Sequence, residues 1–177
     1  DYYIDRDKIP LEPDGTIDLE HIRTIDVALF GEQLTALLNG ETVELPRFDF
    51  LKQRRVMDGS RTLRIDENTP LVIEGLHGLN PALLPPSVDR DRIFRLYVSA
   101  LTTLNLDDHN RIQTTEIRLL RRIVRDYETR GASIEHTLSM WGSVRRGEER
   151  WIFPYQEQAD AIFNSALVYE PAVLKKH

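Results

Sequence analysis

The run Pro70-Leu71-Val72-Ile73-Glu74-Gly75 constrains the fold more than any other stretch. It is apolar without alternation and closes on a carboxylate and a glycine, the pattern of a strand buried on both faces of a parallel sheet. Parallel strands need crossover connections, usually helices. Ile93-Phe94-Arg95-Leu96-Tyr97-Val98 and Ala161-Ile162-Phe163 are further strand candidates. Between them lies the basic stretch Arg118 to Gly131. There Ile117, Leu120 and Val124 recur at helical spacing, Leu119 and Ile123 widen the stripe, and Arg118, Arg122 and Arg125 fall opposite. Gly131 can supply the left-handed turn that ends this helix, which leaves Arg130 in its last turn. Another helix begins near Ser133, whose hydroxyl can cap it. Strands alternating with helices predict an α/β layered fold.

Ahead of this half, Asp18 is positioned to cap a helix marked by Ile22, Ile25, Leu29, Leu34 and Leu37 and closed by Gly40. Thr42-Val43-Glu44-Leu45 and Arg61-Thr62-Leu63-Arg64-Ile65 alternate at period two, so they read as strands flanking a small projecting hairpin from Pro46 to Ser60. The turn-rich Pro10-Leu11-Glu12-Pro13-Asp14-Gly15 reads as a surface loop. At 177 residues the chain fits one domain, 1–177, with a core of its own. A net charge of -6 argues against broad nucleic-acid binding and for a small anionic partner at the arginines. The absence of cysteine excludes disulfides and thiolate metal sites and suits a reducing cytoplasm. No apolar run approaches membrane-spanning length.

The arginine face supports two readings. Planar, permanently charged forks suit phosphate oxygens, and they equally suit ion pairs with Asp126 and Glu128 at short helical spacing. Glu74, at the carboxyl end of a strand where ligands of open α/β sheets bind, could hold a metal-bound water or cap the turn into Gly75. Phe48-Asp49-Phe50 on the hairpin could stack on a planar ligand or make core contacts. Asp107-Asp108-His109-Asn110 reads as a hydrated loop, and His77 as a hydrogen-bonded loop histidine. Asp1, Asp5 and Asp18 could bind sugar hydroxyls or serve solubility. The phosphate-cradling pattern Gly-x-x-x-x-Gly-Lys-Ser/Thr does not occur in the sequence.

Taken together, Tyr2-Tyr3, the Asp18 region, Leu45-Pro46-Arg47-Phe48-Asp49-Phe50, Val72-Ile73-Glu74-Gly75, Arg121 to Asp126 with Arg130-Gly131, and Gln158-Ala159-Asp160 resemble the uridine kinase and phosphoribulokinase family of P-loop kinases. Gly75 to Pro81, Asp108 to Arg111 and Ser143 to Glu149 look more closely like the kinase half of bacterial proteins with a threonyl-tRNA-synthetase-like amino-terminal region. The resemblance implies a P-loop-type parallel sheet flanked by helices, with a projecting hairpin and an arginine-bearing lid. It also implies that the first strand, P-loop and first helix precede Asp1, so that the 177 residues alone would be inactive.

The activity implied is transfer of the ATP γ-phosphoryl group to the 5′-hydroxyl of a uridine- or cytidine-like nucleoside, with Mg2+ bridging the phosphates. No membrane is implied, nucleic acid is not expected as a partner of this domain, and homo-oligomers are left open. The register puts the general base one residue ahead of Asp1 and leaves Asp1 as the fallback within the chain. Tyr3 and Asp18 match positions lining the nucleoside site, Phe48 an aromatic packing on the base, and Glu74 the carboxylate near magnesium. Arg122 matches a substrate-contacting arginine, Arg125 and Arg130 the lid arginines. Three positions depart from the pattern: Gln53 stands where a histidine contacts the pyrimidine, Ala132 where a further lid arginine is found, and Met140 where a glutamine reads the substrate. These departures keep a second reading in view, a non-catalytic nucleotide- or RNA-binding module of a synthetase-like fusion.

Overall fold

The computed structural model describes every residue except Asp14, Thr16, Thr103, Leu106 and His177, so Asp14 of the expected surface loop lies outside the described residues. The first α-helix, α1 (Val27–Leu38), starts later than Asp18. Its cap is Asp26, whose carboxylate accepts a hydrogen bond from Leu29 N at 3.0 Å. The delay has a backbone cause: Ile25 bridges Tyr3, with Ile4 N donating to Thr24 O and Asp26 N to Tyr2 O, and this pairing holds residues 24–26 out of the helix. Asp18 caps a turn instead, accepting from Glu20 N at 3.0 Å. Gly40, at φ +76°, follows the helix end as its spacing predicts.

The hairpin is present as two nested antiparallel ladders. The outer one pairs β1 (Val43–Glu44) with β4 (Thr62–Leu63), and the inner one pairs β2 (Arg47–Asp49) with β3 (Arg54–Val56). Arg55 anchors it to α1: its Nη1 donates to Asp26 Oδ2 at 2.6 Å, while its backbone N donates to Asp5 Oδ1. Beneath lie two small apolar clusters, Phe30 with Leu34 and Leu83, and Leu37 with Val43 and Ile65; Leu71 packs against both.

The parallel element lies later in the chain than the Pro70–Gly75 run suggests. It is formed by β5 (Leu96–Ser99) and β6 (Ala161–Asn164), in register Leu96↔Ala161 to Ser99↔Asn164. These were the two flanking candidates, the first displaced by three residues at its start. Residues 71–74 are not a ladder strand: among the described residues none pairs with them, and Val72 is 85% exposed while Leu71 reaches the core. An apolar run becomes a buried strand only where neighbours take up its backbone groups, and here it has none. The crossover between β5 and β6 contains α2 (Thr114–Arg130) and α3 (Ile134–Trp151). Gln113 and Glu116 form a capping box on α2, Gly131 ends it at φ +65°, and the Ser133 hydroxyl caps α3 by accepting from His136 N. The last helix, α4 (Glu170–Leu174), is tied to α2 by Arg121, whose Nη2 donates to Glu170 Oε2 at 2.6 Å. The result is an α/β fold with a parallel pair flanked by helices and a projecting hairpin.

Candidate active site

The site starts at the end of α2. Positions 122, 126 and 130 lie one turn apart on one face, so Asp126 falls between two arginines, with Arg125 beside it. Asp126 is only 7% exposed. Its Oδ2 meets Arg122 Nε at 3.3 Å, and its Oδ1 meets Arg125 Nη2 at 2.9 Å and Arg130 Nη1 at 3.4 Å. The ion-paired reading of this face therefore holds for Asp126. The predicted stripe holds at Ile117, which is buried, and fails at Leu120, which is 45% exposed. The packed side of the helix is partly its charged side: Arg118 pairs with Glu148 of α3, which also accepts from Arg145 Nη1 at 3.0 Å.

A second component comes from the loop before α1. Trp151 Nε1 donates to Asp18 Oδ2 at 2.8 Å, and the His21 ring lies 4.1 Å from the Trp151 ring. The loop approaches α3 closely at Gly147, where a methyl group would overlap Glu20 Cβ and lie 2.7 Å from its Cγ. Held in this way, Glu20 is 5% exposed and accepts from Arg122 Nη1 at 3.4 Å. Burial pushes the Glu20 carboxyl up from its ordinary value; Arg122 pulls it down, and the nearby Glu148 and Asp18 charges push it up again. His77 is buried and hydrogen-bonds the Glu20 backbone. Its pKa is lowered by burial first and then by His21.

The third component is aromatic. The Tyr3, Phe48 and Phe50 rings meet edge to face, 5.3 Å for Tyr3–Phe48 and 5.1 Å for Phe48–Phe50, a favoured arrangement of their quadrupoles. Arg130 stacks over Phe50 with its Cζ 4.4 Å from the ring centre. Burial raises the Tyr3 hydroxyl pKa, the Glu20 charge adds to that, and Arg130, Arg125 and Arg122 oppose it. Tyr3, Glu20 and the three arginines thus share one electrostatic environment.

Of the residues singled out from sequence, Tyr3, Phe48, Arg122, Arg125 and Arg130 come together here. Asp18 adjoins them but is engaged by Trp151 and the Glu20 amide. Asp1 accepts from Phe48 N at 3.1 Å and from Arg61 Nη1 at 2.7 Å. Glu74 is exposed. Gln53 is exposed in the hairpin turn at φ +54°, its carbonyl accepting from Arg6 N. Asp107 closes its own loop, accepting from the His109 and Asn110 amides at 2.8 Å, as a hydrated loop would. Sequence reasoning did not single out Glu20, Gly147 or Trp151 as site residues, and it named Phe50 only together with Phe48 as a ring that could stack on a planar ligand. A glycine inside the α3 pattern was the available signal of a close approach.

Among the described residues no group of three or more His, Asp or Glu side chains is arranged to hold a metal ion. Glu74 is an exposed carboxylate, a donor of the kind Mg2+ takes one or two of beside phosphate oxygens and water.

A parallel strand pair connected through helices, with a guanidinium cluster facing an aromatic hairpin, makes this an α/β domain. The chain belongs to the phosphoribulokinase/uridine kinase family, whose model matches residues 12–169. It is 27% identical over 162 residues to a uridine kinase of Macrococcus caseolyticus, covering 91% of this chain and 69% of that protein. A uridine kinase of Ligilactobacillus salivarius is 28% identical over 162 residues, at 91% and 67% coverage, and one of Halobacterium salinarum 26% identical, at 91% and 63%. The chain thus spans about two-thirds of the length of these relatives.

Proposed function

We propose that this domain serves an ATP-dependent nucleoside kinase that transfers the γ-phosphoryl group to the 5′-hydroxyl of a uridine- or cytidine-like acceptor. The observation that carries the reading is the convergence of Tyr3, Glu20 and the Phe48–Phe50 aromatics on Arg122, Arg125 and Arg130. Aromatic edges and faces suit a planar base. The buried Glu20 carboxylate, steadied by Arg122, suits acceptance of hydrogen bonds from ribose hydroxyls. Asp18 then acts one step back, holding the loop through Trp151 and the Glu20 amide, and Tyr3 lines the acceptor pocket. Arg125 and Arg130 face the charge that builds on a transferred phosphoryl group, where fixed cations lower the barrier. Magnesium, when bound with ATP, neutralises phosphate charge, and Glu74 is the side chain that would hold it. Asp1, bonded to the Phe48 amide and Arg61, stands at the hairpin base and is the fallback for the base role. Among the described residues no helix is long and apolar enough to cross a membrane.

The test is phosphate transfer from ATP with magnesium by the full-length protein across a panel of nucleosides, repeated with Arg125→Ala. We expect turnover of one nucleoside class, reduced by about 10²-fold or more in the variant, the range for loss of a preorganised charge-stabilising group. Absence of turnover with every nucleoside would favour a second reading, a nucleotide- or RNA-binding module of a synthetase-like fusion. That reading draws on Gln53, exposed in the hairpin turn, and on Ala132 and Met140.

A further inference from the structure

Asp126 has no part in the scheme above, yet it is the best-connected carboxylate of the site. It is nine-tenths buried, and its two oxygens are divided among Arg122, Arg125 and Arg130. A buried carboxylate must be paired, so these contacts belong to the fold itself. They are uneven. Arg125 is held at 2.9 Å, whereas Arg130 stands at 3.4 Å, near the limit of useful hydrogen bonding, and Arg122 Nε, at 3.3 Å, pairs by charge without a hydrogen bond. Arg130 also leans on the Phe50 ring, and its guanidinium pKa is lowered by burial and by Arg125 while Asp126 raises it. Three guanidinium groups face two carboxylates, Asp126 and Glu20, an excess of one positive charge. Without Asp126 the three would repel one another and splay.

We infer that Asp126 is a resident counter-anion: it gathers Arg125 and Arg130 into a fork before any phosphate arrives, and it yields them to the phosphoryl group during transfer. The physical basis is that a carboxylate and two phosphate oxygens present the same bidentate acceptor to guanidinium. Asp126 is thus a positioning residue with a double effect. It organises the arginines that transfer needs, and it competes with the anion they are meant to hold. The inference rests on the reading that Arg125 and Arg130 meet phosphate.

The double effect gives two readouts of opposite sign. In the full-length protein, Asp126→Asn removes the competitor, so inorganic pyrophosphate should bind roughly three- to tenfold more tightly by calorimetry, in the range of one partly buried charge interaction. Transfer to the preferred acceptor should fall at least about tenfold in kcat with little change in acceptor KM, because the arginines are no longer gathered. A residue of merely structural importance would weaken both. Unchanged or weaker pyrophosphate binding by Asp126→Asn overturns the inference.

Should that variant fail to fold, the unaltered protein still decides the matter by carbon-13 NMR. The Asp126 carboxyl resonance should move with the same midpoint as the Arg125 side chain when pyrophosphate is added, and a stationary resonance counts against it. If no nucleoside is turned over while the pyrophosphate effect is seen, the kinase reading falls and the counter-anion stands. Turnover with unaltered pyrophosphate affinity in the variant reverses that outcome.

Discussion

Glu20 and Asp18 sit two residues apart in one loop, and only their surroundings separate them. The family resemblance pointed to Asp18, and sequence alone does not reveal which of two neighbouring acids turns inward. The structure separates them through Trp151, which takes Asp18, and Gly147, which leaves room for Glu20. The buried acid has a measurable signature. Its pKa is raised above the ordinary 4.5, so in the folded chain it keeps its proton to higher pH than when unfolded. The stability this contributes is fully present below the unfolded value and is lost as pH rises through the folded one. Glu20→Gln lacks that loss, so its melting temperature relative to the unaltered chain should climb as pH is raised from about 4.5 and then level off. Parallel melting curves for the two proteins would show that Glu20 titrates normally. Helical spacing set Arg118, Arg122 and Arg125 on a charged face, but only the family resemblance singled out Arg122, Arg125 and Arg130 as site arginines, and the place of Asp126 among them comes from the structure. Phe50 was legible as an aromatic, but not as the partner of Arg130, because that contact joins the hairpin to a helix far along the chain.

Secondary-structure elements were read well where their signals are local. The Gly131 turn, the Ser133 cap and the alternating strands of the hairpin each depend on a few neighbouring residues, and each is present. Two expectations failed where a distant backbone decides. Asp18 has the chemistry of a cap, but pairing with Tyr3 delays α1 to Val27. Residues 71–74 have the composition of a central strand but no ladder partner. The α3–loop contact is also non-local, and it supplies a test at this scale. Gly147→Ala should help the helix by up to about 1 kcal/mol and force the Glu20 loop away, overpacking that costs about 1–3 kcal/mol. The net expectation is a modest loss in urea unfolding, accompanied by a rise in acceptor KM larger than the change in kcat. A variant that gains stability with KM unchanged would mean that the loop yields without moving Glu20.

Across the whole molecule, apolar burial is uneven. The small clusters under the hairpin are enclosed, whereas Leu96, Val98 and Phe163 on the parallel pair are 47%, 54% and 57% exposed. Val98 and Phe163 are register partners and share one face. The 177-residue chain should therefore bind an apolar dye such as anilinonaphthalene sulfonate. The double variant Val98→Thr, Phe163→Thr should bind markedly less, and equal fluorescence from both would place the dye elsewhere. The fold class was legible because alternation of strands and helices is a property of the whole sequence. How much of the sheet would be covered was not, since coverage depends on what lies alongside. The longest-range contacts carry a consequence in time. Asp18 meets Trp151 across 133 residues, and Glu20 meets Arg122 across 102. During synthesis the Asp18–Glu20 loop leaves the ribosome well before its partners exist, so the pocket cannot close until nearly all of the chain has emerged. A nascent chain halted before α3 would carry the hairpin and α1 but no acceptor site.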